Sequence, residues 1–126
     1  MRAVATSAEF PVRWLGDWAV ITAPGEIDIS NSPQLGVALL SVARQGAVVL
    51  IVDMSATTFC DSSGMTALAL ARKQSVANGV DIRLVITHDG PRRVLELLGL
   101  DVFIRIYPGL AAALSGLAGH GERRNQ

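Results

Sequence analysis

Cysteine is nearly absent from this chain. Cys60 stands alone, so no internal disulfide can form and the framework of small secreted domains is excluded. Histidine is almost as scarce. His88 and His120 lie far apart, and with a single cysteine they offer no recognised metal-ligand spacing, so no metal site is expected. Aromatic residues make up only 5% of the chain, so Val, Leu, Ile and Ala must fill the core that a 50% hydrophobic composition can build. An excess of either charge is missing too: eleven Lys and Arg balance eleven Asp and Glu. That argues against direct, non-specific nucleic-acid binding, which needs a basic surplus. No apolar run reaches the roughly 20 residues of a membrane span, and the first residues lack the apolar core of a signal peptide. A cytoplasmic protein is the expectation. The length of 126 residues suits a single domain, 1–126, with a core over about 9–118 and a polar, frayed tail over 119–126.

What is present is an alternation of strand and helix signals. Phe10, Val12 and Trp14 alternate with Pro11 and Arg13, Gly16-Asp17 supplies a turn, and Trp18 to Ala23 returns, which predicts a hairpin over 9–23. Ser30, Asn31 and Ser32 precede Pro33, a helix start with a capping side chain and proline at the first helical position. Leu35, Ala38, Leu39 and Val42 share its inner face, and Gly46 ends it. Residues 47–54 form an almost unbroken apolar run, as expected of a central strand covered on both faces. A second helix is predicted over 63–78, a strand over 80–86, and a third helix from His88 to Gly99 with Val94, Leu95 and Leu98 inward. A strand over 102–107 and a last helix from Pro108, with Leu110, Ala113, Leu114 and Leu117 inward, complete the chain. Helices alternating with strands imply a mixed sheet with helices packed on it.

Polar chemistry concentrates at two places. At Asp61-Ser62-Ser63-Gly64 an apolar run becomes a helix. An ordinary helix cap explains an acid and two hydroxyls there. A nucleophile would need a histidine base and an orienting acid. His120 is in the tail, His88 sits at a capping position, and the G-x-S-x-G elbow is missing. A hydroxyl meant for modification is the third reading. Gly64 lowers helix propensity by about 1 kcal/mol, and its expected benefit is room for another protein to approach Ser62. Cys60 reads as a small buried filler. The second place, Gly25-Glu26-Ile27-Asp28, reads as a turn and short strand carrying two acids into the first helix, and is either a solvated edge or a charged rim for a partner's cation.

Together these stretches resemble the STAS-domain anti-sigma factor antagonist (anti-anti-sigma factor) family. Gly25-Glu26-Ile27-Asp28 is similar to the family's motif after its second strand, Val48 to Asp53 to its central strand, and Phe59 to Gly64 to its apolar-x-D-S-S-G motif. Residues 91–100 are similar to its third helix with a Gly-Leu end. Met65 replaces the common leucine, a volume-conserving change. The resemblance implies an α/β STAS fold, a mixed central β-sheet with about four helices, packed on one side. It implies a partner-switching role in transcription regulation without catalysis or cofactor. The chain would bind a GHKL-type anti-sigma factor serine kinase and so release a sigma factor. Phosphorylation of Ser62 would end the complex, and a serine phosphatase would reset it. Glu26, Asp28, Ser30, Asn31, Asp61, Ser63, Gly64, Met65 and Thr66 are the expected partner-binding residues, with Asp61 positioning and capping, and Ser63 as a cap or, second, an alternative phosphorylation site. The alternative is a STAS subunit of a stress-sensing or lipid-transport assembly with no kinase partner.

Overall fold

The computed structural model describes residues 10–117. The tail from Gly119 on, with His120, lies outside the described residues. The hairpin forms from β1 (Val12–Leu15) and β2 (Trp18–Thr22), antiparallel, with Gly16 at φ +63° in the turn between them. Three further strands run parallel to β2: β4 (Val49–Met54), β6 (Asp81–Ile86) and β7 (Arg105–Tyr107), giving the order β1-β2-β4-β6-β7. Parallel neighbours need crossovers, and α1 (Ser32–Arg44), α2 (Ser62–Ala77) and α3 (Asp89–Leu97) supply them.

The unbroken apolar character of β4 has a direct cause. Leu50, Val52 and Met54 face one core with Leu35 and Leu39 of α1, Met65 and Leu68 of α2 and Leu95 of α3. Val49 and Ile51 face a second core with Trp18, Val20 and Val85. That second face is covered by α4 (Leu110–Ala113) and the residues after it, with Ala113 fully buried and Leu110, Leu114 and Leu117 packed alongside. The helices therefore do not all lie on one side, as the resemblance implied: three cover one face and α4 the other.

Arg83 of β6 makes this second face possible. Its guanidinium stacks 4.8 Å from the Trp18 ring, pairs with Asp81 at 3.1 Å, and donates to the carbonyls of Ala113 at 2.7 Å and Ser115 at 3.1 Å. A buried cation is tolerable only when so many partners compensate its desolvation. Here they fasten the end of α4 to the sheet.

Two further departures occur near the C-terminal half. The chain over 102–104 is not strand: a 3-10 turn (Leu100–Val102) precedes β7. Leu98 is 53% exposed, because α3 stops at Leu97 and the chain reverses at Gly99, φ +74°, before that residue can join the inner face. Pro91 takes the buried place one turn ahead of Leu95.

The short strand expected at 25–28 forms, but its pairing with a second short strand was not expected. β3 (Glu26–Ile27) and β5 (Phe59–Cys60) pair in parallel, Glu26 beside Phe59 and Ile27 beside Cys60, as a separate two-stranded sheet. Thr58 N donates to Gly25 O at 2.8 Å and Asp61 N to Ile27 O at 3.0 Å, so the ladder continues past both ends. This small sheet joins the two polar stretches of the sequence.

Candidate functional site

The site is the start of α2. Asp61 occupies the N-cap in an extended conformation, and its Oδ1 accepts from Gly64 N at 3.1 Å. Ser63 Oγ donates to the same Oδ1 at 2.6 Å. These donors hold the Asp61 carboxyl below the usual carboxylate range, the Ser63 hydroxyl contributing most and the Gly64 N–H next. Asp61 is therefore the cap and Ser63 is not. The hydroxyl that Asp61 positions belongs to Ser63 rather than Ser62.

Ser62 is the first residue of α2 and is exposed. Among the described residues its hydroxyl has no hydrogen-bond partner, while its carbonyl accepts from Thr66 Oγ1 at 2.9 Å. Thr66 is exposed on the next turn. Beside them runs an apolar groove of about 390 Å³. Ala69, Leu70 and Lys73 of α2 form one wall and Leu98 and Leu100 the other. Leu70 and Leu98 are each about half exposed.

Gly64 and Met65 point the other way. A Cβ on Gly64 would lie 2.5 Å from Cys60 Sγ and 2.7 Å from Ile27 Cγ2. The missing side chain lets α2 close onto the small sheet, not a partner onto Ser62. Met65 is 1% exposed, a core residue that also floors the groove. Both support the site from beneath, so neither offers an exposed contact as expected. Cys60 is buried, and burial followed by the Asp61 charge pushes its thiol up to about 12, so it stays a neutral filler.

The second polar stretch lies alongside. Glu26 is exposed on β3. Asp28 Oδ1 accepts from the backbone N and the hydroxyl of Ser30, which fixes the loop. Asn31 stands at the N-cap of α1 but makes no side-chain cap bond. It reaches back instead: Nδ2 donates to Glu26 O at 2.9 Å, and Oδ1 accepts from Asp28 N at 3.0 Å. The amides of Asn31 and Ser32 go to Asp28 O, and Pro33 has none to satisfy, so the start of α1 does without a side-chain cap.

Two residues escaped sequence reasoning. Ser32 is 3% exposed, and its Oγ donates to Ser63 Oγ at 3.0 Å, tying the start of α1 to the start of α2. The only signal for it was a second hydroxyl at a helix start already supplied with a capping residue. Phe59 is half exposed on β5, paired with Glu26 of β3. His88 makes no cap bond and no hydrogen bond to Ser62, so no serine–histidine pair exists among the described residues. No cluster of metal-ligating side chains occurs among them, and no helix is long and apolar enough to cross a membrane.

Known proteins resemble this chain in sequence and in fold. Residues 10–113 match the family model for the STAS domain. The chain is 33% identical over 101 residues to the anti-sigma-F factor antagonist RsfB of Mycobacterium tuberculosis, covering 80% of this chain and 82% of that protein. Its fold is similar to an anti-sigma factor antagonist from Mycobacterium paratuberculosis, with a TM-score of 0.78 at 29% identity over 85% of this chain and 91% of the other. The anti-sigma factor antagonist SpoIIAA in its unphosphorylated form has a TM-score of 0.73 at 21% identity, covering 87% of this chain and 96% of that one. At that identity the likeness is one of fold.

Proposed function

The chain belongs to the STAS-domain anti-sigma factor antagonist family, regulators rather than enzymes, and from that membership we propose a phosphorylation switch centred on Ser62. The unphosphorylated chain captures an anti-sigma factor that is itself a GHKL-type serine kinase, which frees a sigma factor. Within the complex Ser62 Oγ attacks the γ-phosphorus of ATP, its proton passes to a base of the kinase, and ADP leaves. The phosphorylated chain dissociates, and a serine phosphatase restores the hydroxyl. This work belongs in the cytoplasm, where ATP and the transcription machinery are.

The observation that carries the reading is the state of the Ser62 hydroxyl: exposed, unbonded, and held on the first turn of a capped helix. A phosphate adds roughly −1.5 to −2 charge. No acid lies in the first turn of α2, so the positive end of the helix dipole can take that charge and the fold survives. A docked surface shaped for a neutral hydroxyl beside Asp61 cannot. Juxtaposed like charges cost several kcal/mol, and about 3 kcal/mol is already roughly a hundredfold in affinity. The exposed Glu26, Ser30 and Thr66, with the groove beside Ser62, form the surface the kinase covers.

Incubation with candidate kinases and ATP, followed by mass spectrometry, tests the reading. One phosphate on Ser62 is expected. Ser62→Ala should bind the kinase but lose the modification, and Ser62→Asp should bind about a hundredfold more weakly. If Ser62→Asp binds every candidate as tightly as the parent, the switch is wrong.

A further inference from the structure

We propose that Ser32 is a positioning residue that decides which of two adjacent serines accepts the phosphate. The inference rests on the acceptor reading above and adds a rule of site choice to it. Ser62 and Ser63 are consecutive on the first turn of α2, and a kinase that reaches one is within a residue of the other. Their hydroxyls differ in what holds them.

Ser63 Oγ lies 2.6 Å from Asp61 Oδ1 and 3.0 Å from Ser32 Oγ. An ionised carboxylate only accepts, so Ser63 must donate its proton to Asp61. It must then accept the proton of Ser32. Both the proton and a lone pair of Ser63 are committed. Ser32 is in turn held in place: it is 3% exposed, and its backbone N donates to Asp28 O at 2.8 Å. The relay Ser32–Ser63–Asp61 spans 31 residues of sequence and ends on the carboxylate that caps α2 through Gly64 N.

To serve as nucleophile, Ser63 must turn its hydroxyl outward and release both bonds. That strands the buried hydroxyl of Ser32 without an acceptor. Ser62 gives up only contacts with water. A charge-assisted bond and a neutral bond lost together amount to a handicap of about a hundredfold for Ser63. The share due to Ser32 alone is about fivefold. Site choice is thus built into this chain and does not depend on the kinase reading one serine from its neighbour.

The test isolates Ser63 as the acceptor. In Ser62→Ala, transfer to Ser63 should be about a hundredfold slower than transfer to Ser62 in the parent. Adding Ser32→Ala should speed transfer to Ser63 about fivefold, and adding Ser32→Thr, which keeps the hydroxyl, should not. Ser32→Ala alone should leave the rate at Ser62 unchanged, whereas a merely structural role would alter both serines together. Amide hydrogen exchange at Ser63 and Gly64 should rise in Ser32→Ala, which reads the relay in the folded chain without any kinase. If the parent is labelled on Ser62 while Ser32→Ala neither speeds Ser63 nor raises exchange, the rule of site choice falls alone. If no candidate kinase labels the parent, the acceptor reading falls and takes the rule with it.

Discussion

Two helices of this molecule begin side by side, and they meet the same requirement by opposite means. The first turn of any helix has backbone amides without partners. At α2 a side chain supplies the acceptor: Asp61 caps Gly64 N. At α1 the backbone does most of it: Asp28 O takes the amides of Asn31 and Ser32, and Pro33 removes another donor. The Asn31 side chain is thereby released to hold β3 and its loop. One start is a platform, built inward. The other presents Ser62 outward, and Ser32 ties the two starts together through Ser63.

The largest test of that contrast uses a glycine from each helix. Gly64 faces Cys60 and Ile27, with 2.5 Å and 2.7 Å left for a Cβ. Both neighbours belong to the two-residue strands of the small sheet and are fully or almost fully buried. Gly64→Ala should cost about 1–3 kcal/mol by overpacking. Gly36 of α1 has only Ala67 Cβ nearby, at 3.8 Å, which is ordinary contact. Gly36→Ala should stabilise by about 0.5–1 kcal/mol through helix propensity and a less flexible unfolded chain. Urea denaturation at neutral pH reads both. Equal signs would mean that the small sheet yields and that Gly64 is not the point where α2 is pinned.

A smaller effect separates the two caps by pH. Asn31→Ala removes two bonds to backbone and should cost about 1 kcal/mol, the same at any pH. Asp61→Asn keeps an oxygen for Gly64 N and loses only the charge. The folded carboxyl of Asp61 sits below its unfolded value, so the folded state binds that proton less readily than the unfolded one. Its contribution is complete above the unfolded value and disappears as pH falls through the folded one. The parent should therefore exceed Asp61→Asn in urea midpoint at pH 7, and the gap should close toward pH 2. A gap that persists unchanged in acid would show that the charge is not what the cap contributes.

The same contrast explains what could be read from the sequence. β4 was legible because a strand buried on both faces needs a run of apolar residues, and the helix starts because Ser, Asn, Asp and Pro have defined duties there. The motif around Ser62 was legible through resemblance. The small sheet was not: two residues are too few to show a period, so Glu26–Ile27 and Phe59–Cys60 gave no sign that they pair. Nor was the purpose of Gly64, since the room it makes is claimed by Cys60 and Ile27, distant or differently placed in the chain. The Ser32–Ser63 bond crosses between helices that sequence reading treats one at a time. Leu98 was misplaced because the inner-face period was carried one residue past Leu97, where α3 stops. Leu98 aside, local chemistry was visible and the distant partner was not.

The smallest expected effect concerns the proposed phosphate acceptor. Ser62 is exposed, caps nothing, and its hydroxyl makes no hydrogen bond to a described residue. Alanine at that position removes no bond and is a better helix former by a few tenths of a kcal/mol. Ser62→Ala should therefore leave unfolding stability within about 0.5 kcal/mol of the parent, read from the same urea curves as Gly64→Ala. On the proposed switch, a hydroxyl taken by a kinase and returned by a phosphatase cannot also hold the fold, or each cycle would unfold the protein. If Ser62→Ala costs as much as Gly64→Ala, the hydroxyl is structural, and the distinction between a platform and a presenting helix start is lost.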